Sequence, residues 1–204
     1  ALRHELFLKV KSIEIIIADV TEFEALQEKI AIIEKIDMVI LNAGTSLGNS
    51  QGIAPIAEFK KLYDVNVLSN HAILEVLLPK FQIQKSGTIV FISSLASLFT
   101  MPQSEVYASS KRALNAYADG VRHNNSQYGI KVITILPGFI ESEMTQKNEF
   151  SMPFLVDTKT GVSRMKNAID SGRDFYAFPS RFYYIILLLR VLPNFIIQKV
   201  LKFI

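Results

Sequence analysis

Apolar positions along this chain form short continuous runs that alternate with longer segments of helical periodicity. The β-branched and aliphatic runs predict strands, because a strand that is buried on both faces has no polar alternation. Four of them predict buried strands at residues 13–18, 38–41, 88–92 and 131–136, and a shorter run at 174–178 predicts an edge strand. The pattern therefore predicts a parallel sheet that is covered on both faces.

Segments of helical periodicity lie between these runs. We expect helices at residues 1–10, 21–35, 56–81, 104–128 and 161–172. Thr21 and Glu24 have the spacing of a capping box at the start of the second helix. Alternating strands and helices indicate an α/β fold with a doubly wound, Rossmann-like sheet.

The carboxyl ends of the predicted strands carry polar, small or conformationally special residues in an otherwise apolar chain. They are Asp19, Asn42, Ala43, Gly44, Ser93, Ser94, Pro137 and Gly138. Ligands of open parallel sheets bind in the crevice at this edge. The pattern thus points to one shared site.

The last part of the chain differs from the rest. Residues 139–160 have little periodicity and form either a lid over an apolar substrate or a packed loop. The apolar run at 182–189 is far shorter than the ~20 residues of a membrane-spanning helix. Four basic residues and no acidic ones lie in 180–204, which we expect to be an amphipathic helical segment. It would rest on an anionic membrane surface, form a dimer contact or dock on the core.

Composition narrows the class of protein. The 204 residues suffice for one domain with a sizeable core, and half of them are hydrophobic. The absence of cysteine excludes disulfides and thiolate metal sites, and the three histidines lack metal-ligand spacing, so no metal site is expected. The net charge of +3, without basic runs interleaved with aromatics, argues against nucleic-acid binding. We expect a cytoplasmic protein.

Tyr107 and Lys111 are the strongest candidates for chemistry. Four residues apart on a helix, they lie on one face, one turn from each other. An ammonium near a phenol favours the phenolate, so we expect a lowered pKa for Tyr107 and a proton donor and acceptor near neutral pH. Taken alone, such a pair is also common on a solvated helix face.

Asn66 lies in the middle of the predicted helix at 56–81. Asparagine inside a helix has a local cost, because its side chain competes for backbone hydrogen bonds. The position is either a tolerated polar residue or a deliberate hydrogen-bonding site.

Together these motifs resemble the short-chain dehydrogenase/reductase family over about residues 1–178. Asn42-Ala43-Gly44 resembles the family's Asn-Asn-Ala-Gly loop, with Leu41 in place of the first asparagine. Asn66 matches the family's mid-helix asparagine, and Ser94 precedes Tyr107 by the usual thirteen residues. Residues 137–142 resemble the segment that the family places beside the nicotinamide.

The resemblance implies hydride transfer between NAD or NADP and an alcohol, ketone or aldehyde. Tyr107 would move the proton, and Lys111 would lower its pKa and bind the nicotinamide ribose. Ser94, with Ser93 as the alternative, would hold the substrate oxygen, and Asn66 would hold a water. Further cofactor contacts would come from Asp19 at the adenine, from Asn42, Ala43 and Gly44 at the adenosine, and from Pro137, Gly138, Ile140 and Ser142 near the carboxamide.

One departure from the family concerns the cofactor phosphates. The nine glycines include no Gly-x-x-x-Gly-x-Gly turn, so the fold is expected to lack the N-terminal Gly-rich βαβ unit. The chain is then a fragment of a longer enzyme or a shortened homologue, and the region that selects NAD or NADP is absent. A non-catalytic interaction or membrane-associated protein is the alternative.

Further expectations concern organisation and partners. We expect a partial Rossmann-like domain at 1–178 and a helical extension at 179–204. The apolar residues of 139–160 and the basic, apolar C-terminus suggest a lipophilic substrate, and the latter also suggests contact with the inner face of a membrane through 180–204. The resemblance implies a homodimer or homotetramer that pairs through the helices carrying Asn66 and Tyr107.

Overall fold

Four parallel strands form one sheet at the centre of the chain. The computed structural model describes residues 12–47, 53–146 and 152–201. The strands are β1 Met38–Leu41, β2 Gly87–Ile92, β3 Ile130–Pro137 and β4 Phe175–Phe178, in the order β1-β2-β3-β4. Each neighbouring pair is parallel. The Rossmann-like sheet predicted from the continuous apolar runs is confirmed.

Helices connect and flank these strands. They are α1 Phe23–Ala31, α2 Ile56–Tyr63, α3 Ser69–Gln84, α4 Glu105–Asn125, α5 Glu143–Gln146, α6 Thr158–Asp170, α7 Ser180–Val191 and α8 Asn194–Leu201. A π-helical turn, Asp64–Leu68, joins α2 to α3 where the sequence predicted one continuous helix. A π turn holds an extra residue in the helical ladder and is frequent at functional sites.

The sheet has an apolar core on each face, because consecutive side chains of a strand point in opposite directions. Ile89 and Phe91 of β2 pack with Leu77 of α3 and Leu114 of α4. Val90, between them in sequence, belongs to a second cluster. That cluster also contains Ile133, Ile135, Ala168 and Phe178. Burial on both sides explains why the central strands β2 and β3 are almost continuously apolar.

The strand predicted at residues 13–18 does not form. The segment has no regular structure, and Ile17 is 83% exposed. A strand needs a hydrogen-bonded neighbour, and no described strand lies beside this one. Within the described residues, the outer edge of β1 is likewise unpaired. The edge position predicted for residues 174–178 is confirmed by β4.

The predicted capping box is also wrong. The Thr21 hydroxyl and backbone N–H both donate to Asp19 Oδ1, at 2.8 and 2.9 Å. Glu22 is the N-cap of α1 and makes no side-chain capping bond. The local turn at Asp19 uses the hydroxyl that would have capped the helix, and α1 begins at Phe23. The helix ends at Ala31, before the expected residue 35. The helix expected at 1–10 lies outside the described residues.

The C-terminal segment forms two helices instead of one. Leu192 adopts φ −75° and ψ 145°, which ends α7, because the following Pro193 disfavours the helical conformation of its predecessor. Ile186 of α7 is buried against Leu95 and Leu136. The inner side of α7 therefore docks on the core, one of the three interpretations left open by the sequence. Among the helices that the structure describes, none has both the length and the apolar character needed to cross a membrane.

Candidate active site

The carboxyl ends of β1, β2 and β3 meet at one edge of the sheet. Leu41 lies in register with Phe91, and Ile92 with Ile135. The segments that follow these strands begin at Asn42, Ser93 and Gly138, so these residues share one edge of the sheet. Asp19 does not follow a strand, because the strand predicted before it does not form. It lies exposed in the turn before α1.

Lys111 joins helix α4 to this edge of the sheet. Its side chain is buried, and Nζ donates a 3.0 Å hydrogen bond to the carbonyl oxygen of Ile92, the last residue of β2. The ammonium lies 6.0 Å from the centre of the Tyr107 ring, one turn earlier on α4. The helical spacing therefore does place the pair together, with Lys111 buried and Tyr107 half-buried instead of both on a solvated face.

Burial sets the pKa of both groups. It lowers the pKa of Lys111 to about 8, and it raises the pKa of Tyr107, while contact with the Ser94 hydroxyl lowers the Tyr107 pKa by less. The prediction of a lowered Tyr107 pKa is therefore wrong for this structure. Desolvation penalises the phenolate, and the Lys111 ammonium is directed to the Ile92 carbonyl instead of to the phenol. Tyr107 is accordingly a protonated group at neutral pH.

The two neighbouring serines at the end of β2 have different partners. Ser93 is buried, and its hydroxyl donates to the backbone carbonyl of Lys111 at 3.3 Å. Ser94 is partly exposed, contacts Tyr107 and accepts from the N–H of Ala96 at 3.1 Å. An accepting hydroxyl still has its proton to donate. The geometry favours Ser94 over Ser93 for contact with a substrate.

Asn66 is fully buried in the π-helical turn and holds two segments together. Its Oδ1 accepts from the N–H of Thr45 at 2.8 Å. Its Nδ2 donates to the carbonyl of Thr45 and to the hydroxyl of Ser110, both at 3.0 Å. The position is thus a hydrogen-bonding site that ties the loop after β1 to α4. Whether Asn66 also holds a water stays a prediction.

Ser110 belongs to the same network, although the sequence pattern did not single it out. It is fully buried and donates to the backbone carbonyl of Tyr107 at 2.8 Å. Its place three residues after Tyr107 would allow this bond, but Ser109 has the same kind of bond to Val106 at the surface. Only the partner Asn66 distinguishes Ser110, and that contact spans 44 residues.

Gly44 supplies bare backbone beside the lysine. A Cβ at this position would lie 3.3 Å from Lys111 Nζ and 3.6 Å from Asn66 Oδ1. An ammonium has three donor hydrogens, and within the described residues Ile92 is the one acceptor of the Lys111 ammonium. A buried donor with spare capacity next to side-chain-free backbone fits the ribose of a nicotinamide cofactor. Lys111 and Gly44 therefore fit the ribose of a nicotinamide cofactor.

The segment after β3 lies at the other side of this edge. Pro137 is buried, and a Cβ on Gly138 would meet Pro179, Phe182 and Leu95 at 3.0–3.4 Å. The Ile140 side chain packs beneath α6, and Ser142 is exposed and bonded to Thr145. Pro137 and Gly138 thus reach the site, whereas the side chain of Ile140 packs into the core.

The described parts of residues 139–160 are tied together by hydrogen bonds. The backbone of Val156 donates to Phe139 at 3.0 Å and accepts from Glu141 at 2.9 Å. The Phe182 ring stacks on those of Phe139 and Phe154, at centroid distances of 5.8 and 5.7 Å. This apolar cluster covers the segment after Gly138, as either a lid or a packed loop would.

A cavity of about 220 Å³ lies elsewhere, between α6 and β4. It is lined by Arg164, Asn167, Ala168, Arg173 and Tyr176. None of these residues belongs to the site around Tyr107. We therefore base the candidate site on the strand ends and their side chains.

Comparison with known proteins agrees with this architecture. The family model described as short chain dehydrogenase matches residues 3–152. An uncharacterised oxidoreductase of Myxococcus xanthus is 31% identical over 198 residues, which cover 95% of this chain and 78% of that protein. A short chain dehydrogenase from Burkholderia cenocepacia, solved in complex with NADP, superposes with a TM-score of 0.75 at 20% identity, over 85% of this chain and 72% of its own.

A second solved structure has the same fold. The short-chain dehydrogenase from Sphingobium yanoikuyae, in complex with NADPH, gives a TM-score of 0.73 at 19% identity, over 80% of this chain and 66% of its own. The family match covers most of the chain, and the parallel sheet agrees with it. This chain belongs to the short-chain dehydrogenase family of oxidoreductases.

Proposed function

We propose that this protein interconverts a lipophilic alcohol and the corresponding ketone or aldehyde, with NAD or NADP as cofactor. The observation that carries the proposal is the half-buried Tyr107 phenol, which desolvation keeps protonated, in contact with Ser94 and one turn from Lys111. A protonated acid, a hydroxyl donor and a cation in one crevice suit the protonation of a carbonyl oxygen.

The nicotinamide cofactor supplies the hydride when bound. In the reduction direction, the Tyr107 O–H protonates the substrate oxygen and becomes a phenolate as the carbonyl carbon receives the hydride. Ser94 donates to the same oxygen and stabilises the charge that develops there. The Lys111 ammonium, 6.0 Å from the ring, stabilises the phenolate that remains.

Several residues would hold the cofactor. Lys111 would donate to the ribose beside the bare backbone of Gly44. The remaining contacts would come from Asp19, Asn42, Ala43, Pro137, Gly138, Ile140 and Ser142. The NADP and NADPH complexes of the two structural neighbours support a nicotinamide cofactor and leave the choice between NAD and NADP open.

The test follows cofactor absorbance with a panel of carbonyls, using protein expressed with its native flanking coding sequence. We expect Tyr107→Phe to lower kcat by about 10²–10⁴-fold, the range of general acid catalysis, while calorimetry shows unchanged cofactor affinity. Tyr63→Phe is the matched control. It removes a phenolic hydroxyl that donates to Ser109, which lies on α4 with Tyr107. An active wild type with an equally active Tyr107→Phe variant would refute the mechanism.

A non-catalytic interaction protein is the second candidate. The observation that favours it is the absence of a Gly-x-x-x-Gly-x-Gly turn among the nine glycines, since that turn would cradle the cofactor pyrophosphate. Calorimetry with NADH and NADPH separates the two candidates. Micromolar binding by the 204-residue chain would exclude the second.

The proposed partners are a second copy of the chain and a membrane. Pairing through α3 and α4 would give a homodimer or homotetramer, which sedimentation velocity would show. We place the protein in the cytoplasm, at the inner face of a membrane, with contact through 180–204.

A further inference from the structure

The outer side of α7 exposes a row of large apolar side chains. Tyr184, Leu188 and Val191 are 67%, 61% and 77% exposed. Spacings of four and three residues place them on one face of the helix. Phe195, on α8, is 64% exposed as well. Nothing in the described structure covers this row.

Positive charge accompanies the row without any negative charge. Arg181 and Arg190 of α7 and Lys199 of α8 are exposed. The last acidic residue of the chain is Asp174, which precedes both helices. Large apolar side chains flanked by arginine and lysine are the pattern of a helix that lies in the interface of an anionic bilayer.

The charge also argues against a second copy of this chain as the occupant. A self-complementary interface would bring the arginines and lysines of both copies together with no carboxylate of either α7 or α8 between them. An anionic surface neutralises the same charges. The observations therefore favour lipid over a second copy.

The inner side of the same helix reaches the candidate active site. A Cβ on Gly138 would lie 3.3 Å from the Phe182 ring and 3.4 Å from Leu95, the residue after Ser94. Helix α7 thus separates the outer apolar row from the segments that end β2 and β3. A lipid-phase substrate would enter beside this helix.

We propose that α7 and α8 dock on an anionic membrane surface through Tyr184, Leu188, Val191 and Phe195. Arg181, three residues before Tyr184, and Lys199, four residues after Phe195, lie beside this row and meet the lipid headgroups. The docked helices admit an uncharged lipophilic substrate from the bilayer to the site under Phe182. This last statement rests on the proposed function, whereas the docking does not.

The docking is tested by sedimentation of the full chain with vesicles. Wild type is expected to bind vesicles of phosphatidylcholine with phosphatidylglycerol at least about tenfold more tightly than pure phosphatidylcholine, and the preference falls at high salt. The double variant Leu188→Glu/Val191→Glu should lose at least about tenfold in affinity. Ile83→Glu, at an equally exposed apolar position of α3, is the matched control and should bind as wild type.

Equal binding of the double variant and wild type would overturn the proposal, as would equal binding to neutral and anionic vesicles. Sedimentation velocity without lipid tests the alternative that a second copy of the chain binds this face. If wild type binds no vesicles and the double variant converts an oligomer to a monomer, the face is a protein contact and the proposal is wrong. Melting curves of all variants confirm that they fold.

The route of the substrate has a separate readout. The double variant should reduce a small water-soluble ketone as fast as wild type but lose at least about fivefold on a long-chain ketone presented in anionic vesicles. If the double variant reduces the long-chain ketone in vesicles as fast as wild type does, the proposed route is wrong. If wild type reduces neither ketone, the proposed function fails, and vesicle binding still decides the docking.

Discussion

The side-chain amide of Asn66 donates a 3.0 Å hydrogen bond to the hydroxyl of Ser110, from the π-helical turn to helix α4. The Ser110 hydroxyl in turn donates to the backbone carbonyl of Tyr107. Asn66 also donates to the carbonyl of Thr45, in the loop beside Gly44. One chain of hydrogen bonds therefore fixes the proposed acid relative to the loop that would meet the cofactor. The side chains of Asn66 and Ser110 are fully buried, and the bond between them is therefore shielded from water.

Ser110→Ala should therefore affect catalysis more than Ser109→Ala. Both serines donate to the carbonyl three residues earlier, but Ser110 also accepts from buried Asn66, whereas Ser109 accepts from Tyr63 at the surface. We expect Ser110→Ala to lower kcat about tenfold with little change in KM, and to lower the free energy of unfolding by about 1–2 kcal/mol. Equal kcat values for the two variants would show that Ser110 does not position Tyr107.

Asn66→Ala should destabilise the protein by on the order of 3 kcal/mol. The substitution removes the hydrogen-bond partner of the Thr45 N–H, the Thr45 carbonyl and the Ser110 hydroxyl, and buried groups without a partner are costly. Urea unfolding measures the effect. Asn115→Ala is the control, because the Asn115 side chain makes one bond, to Ser97, and its Oδ1 has no partner in the described structure. A loss at Asn66 no larger than the ~1 kcal/mol expected for Asn115 would contradict the network.

Gly44→Ala should weaken cofactor binding while the fold is retained. The new Cβ would press on the Lys111 ammonium from 3.3 Å, so the ammonium must move by a few tenths of an ångström. We expect at least about a tenfold loss of NAD(P)H affinity by calorimetry. Gly120→Ala is the matched control on the exposed side of α4, where a Cβ meets nothing within 4 Å. It should stabilise the helix by about 0.5–1 kcal/mol and leave binding unchanged.

Lys111 should give a distinct pH dependence of stability. Burial lowers its pKa from 10.5 to about 8 in the folded protein. Between these pH values the unfolded chain binds more protons at this residue, so the free energy of unfolding rises with pH there. The full difference corresponds to about 3 kcal/mol.

Urea unfolding at several pH values, for wild type and Lys111→Met, isolates this contribution. Above about pH 8, the stability of wild type should rise relative to that of the variant, which cannot titrate at this position. Tyr107 acts in the opposite direction near pH 10, because burial raises its folded-state pKa and the unfolded chain loses that proton first, but Tyr107 is present in both proteins and so its effect cancels in the comparison. Parallel curves for the two proteins would mean that Lys111 is not desolvated.

Much of the fold could be predicted from local pattern. The bounds of β1, β2, β3 and β4 agree with the apolar runs within a residue or so. The central strands β2 and β3 are covered on both faces, which favours apolar side chains at nearly every position. The run at 13–18 has the same composition and forms no strand, because pairing depends on a neighbour and not on composition. Likewise, the Thr21 hydroxyl donates to Asp19 and does not form the predicted helix cap.

The amino-acid sequence by itself determined the parallel sheet and the spacing that brings Tyr107, Lys111 and Ser94 together, since periodicity and motif order are local properties. Tertiary structure decided the chemistry of that group. It half-buried Tyr107 and buried Lys111, which raises the pKa of the tyrosine and lowers that of the lysine, and it joined Asn66 to Ser110 across 44 residues. Desolvation and long-range hydrogen bonds depend on which segments pack together, and the spacing of residues along a helix does not contain that information.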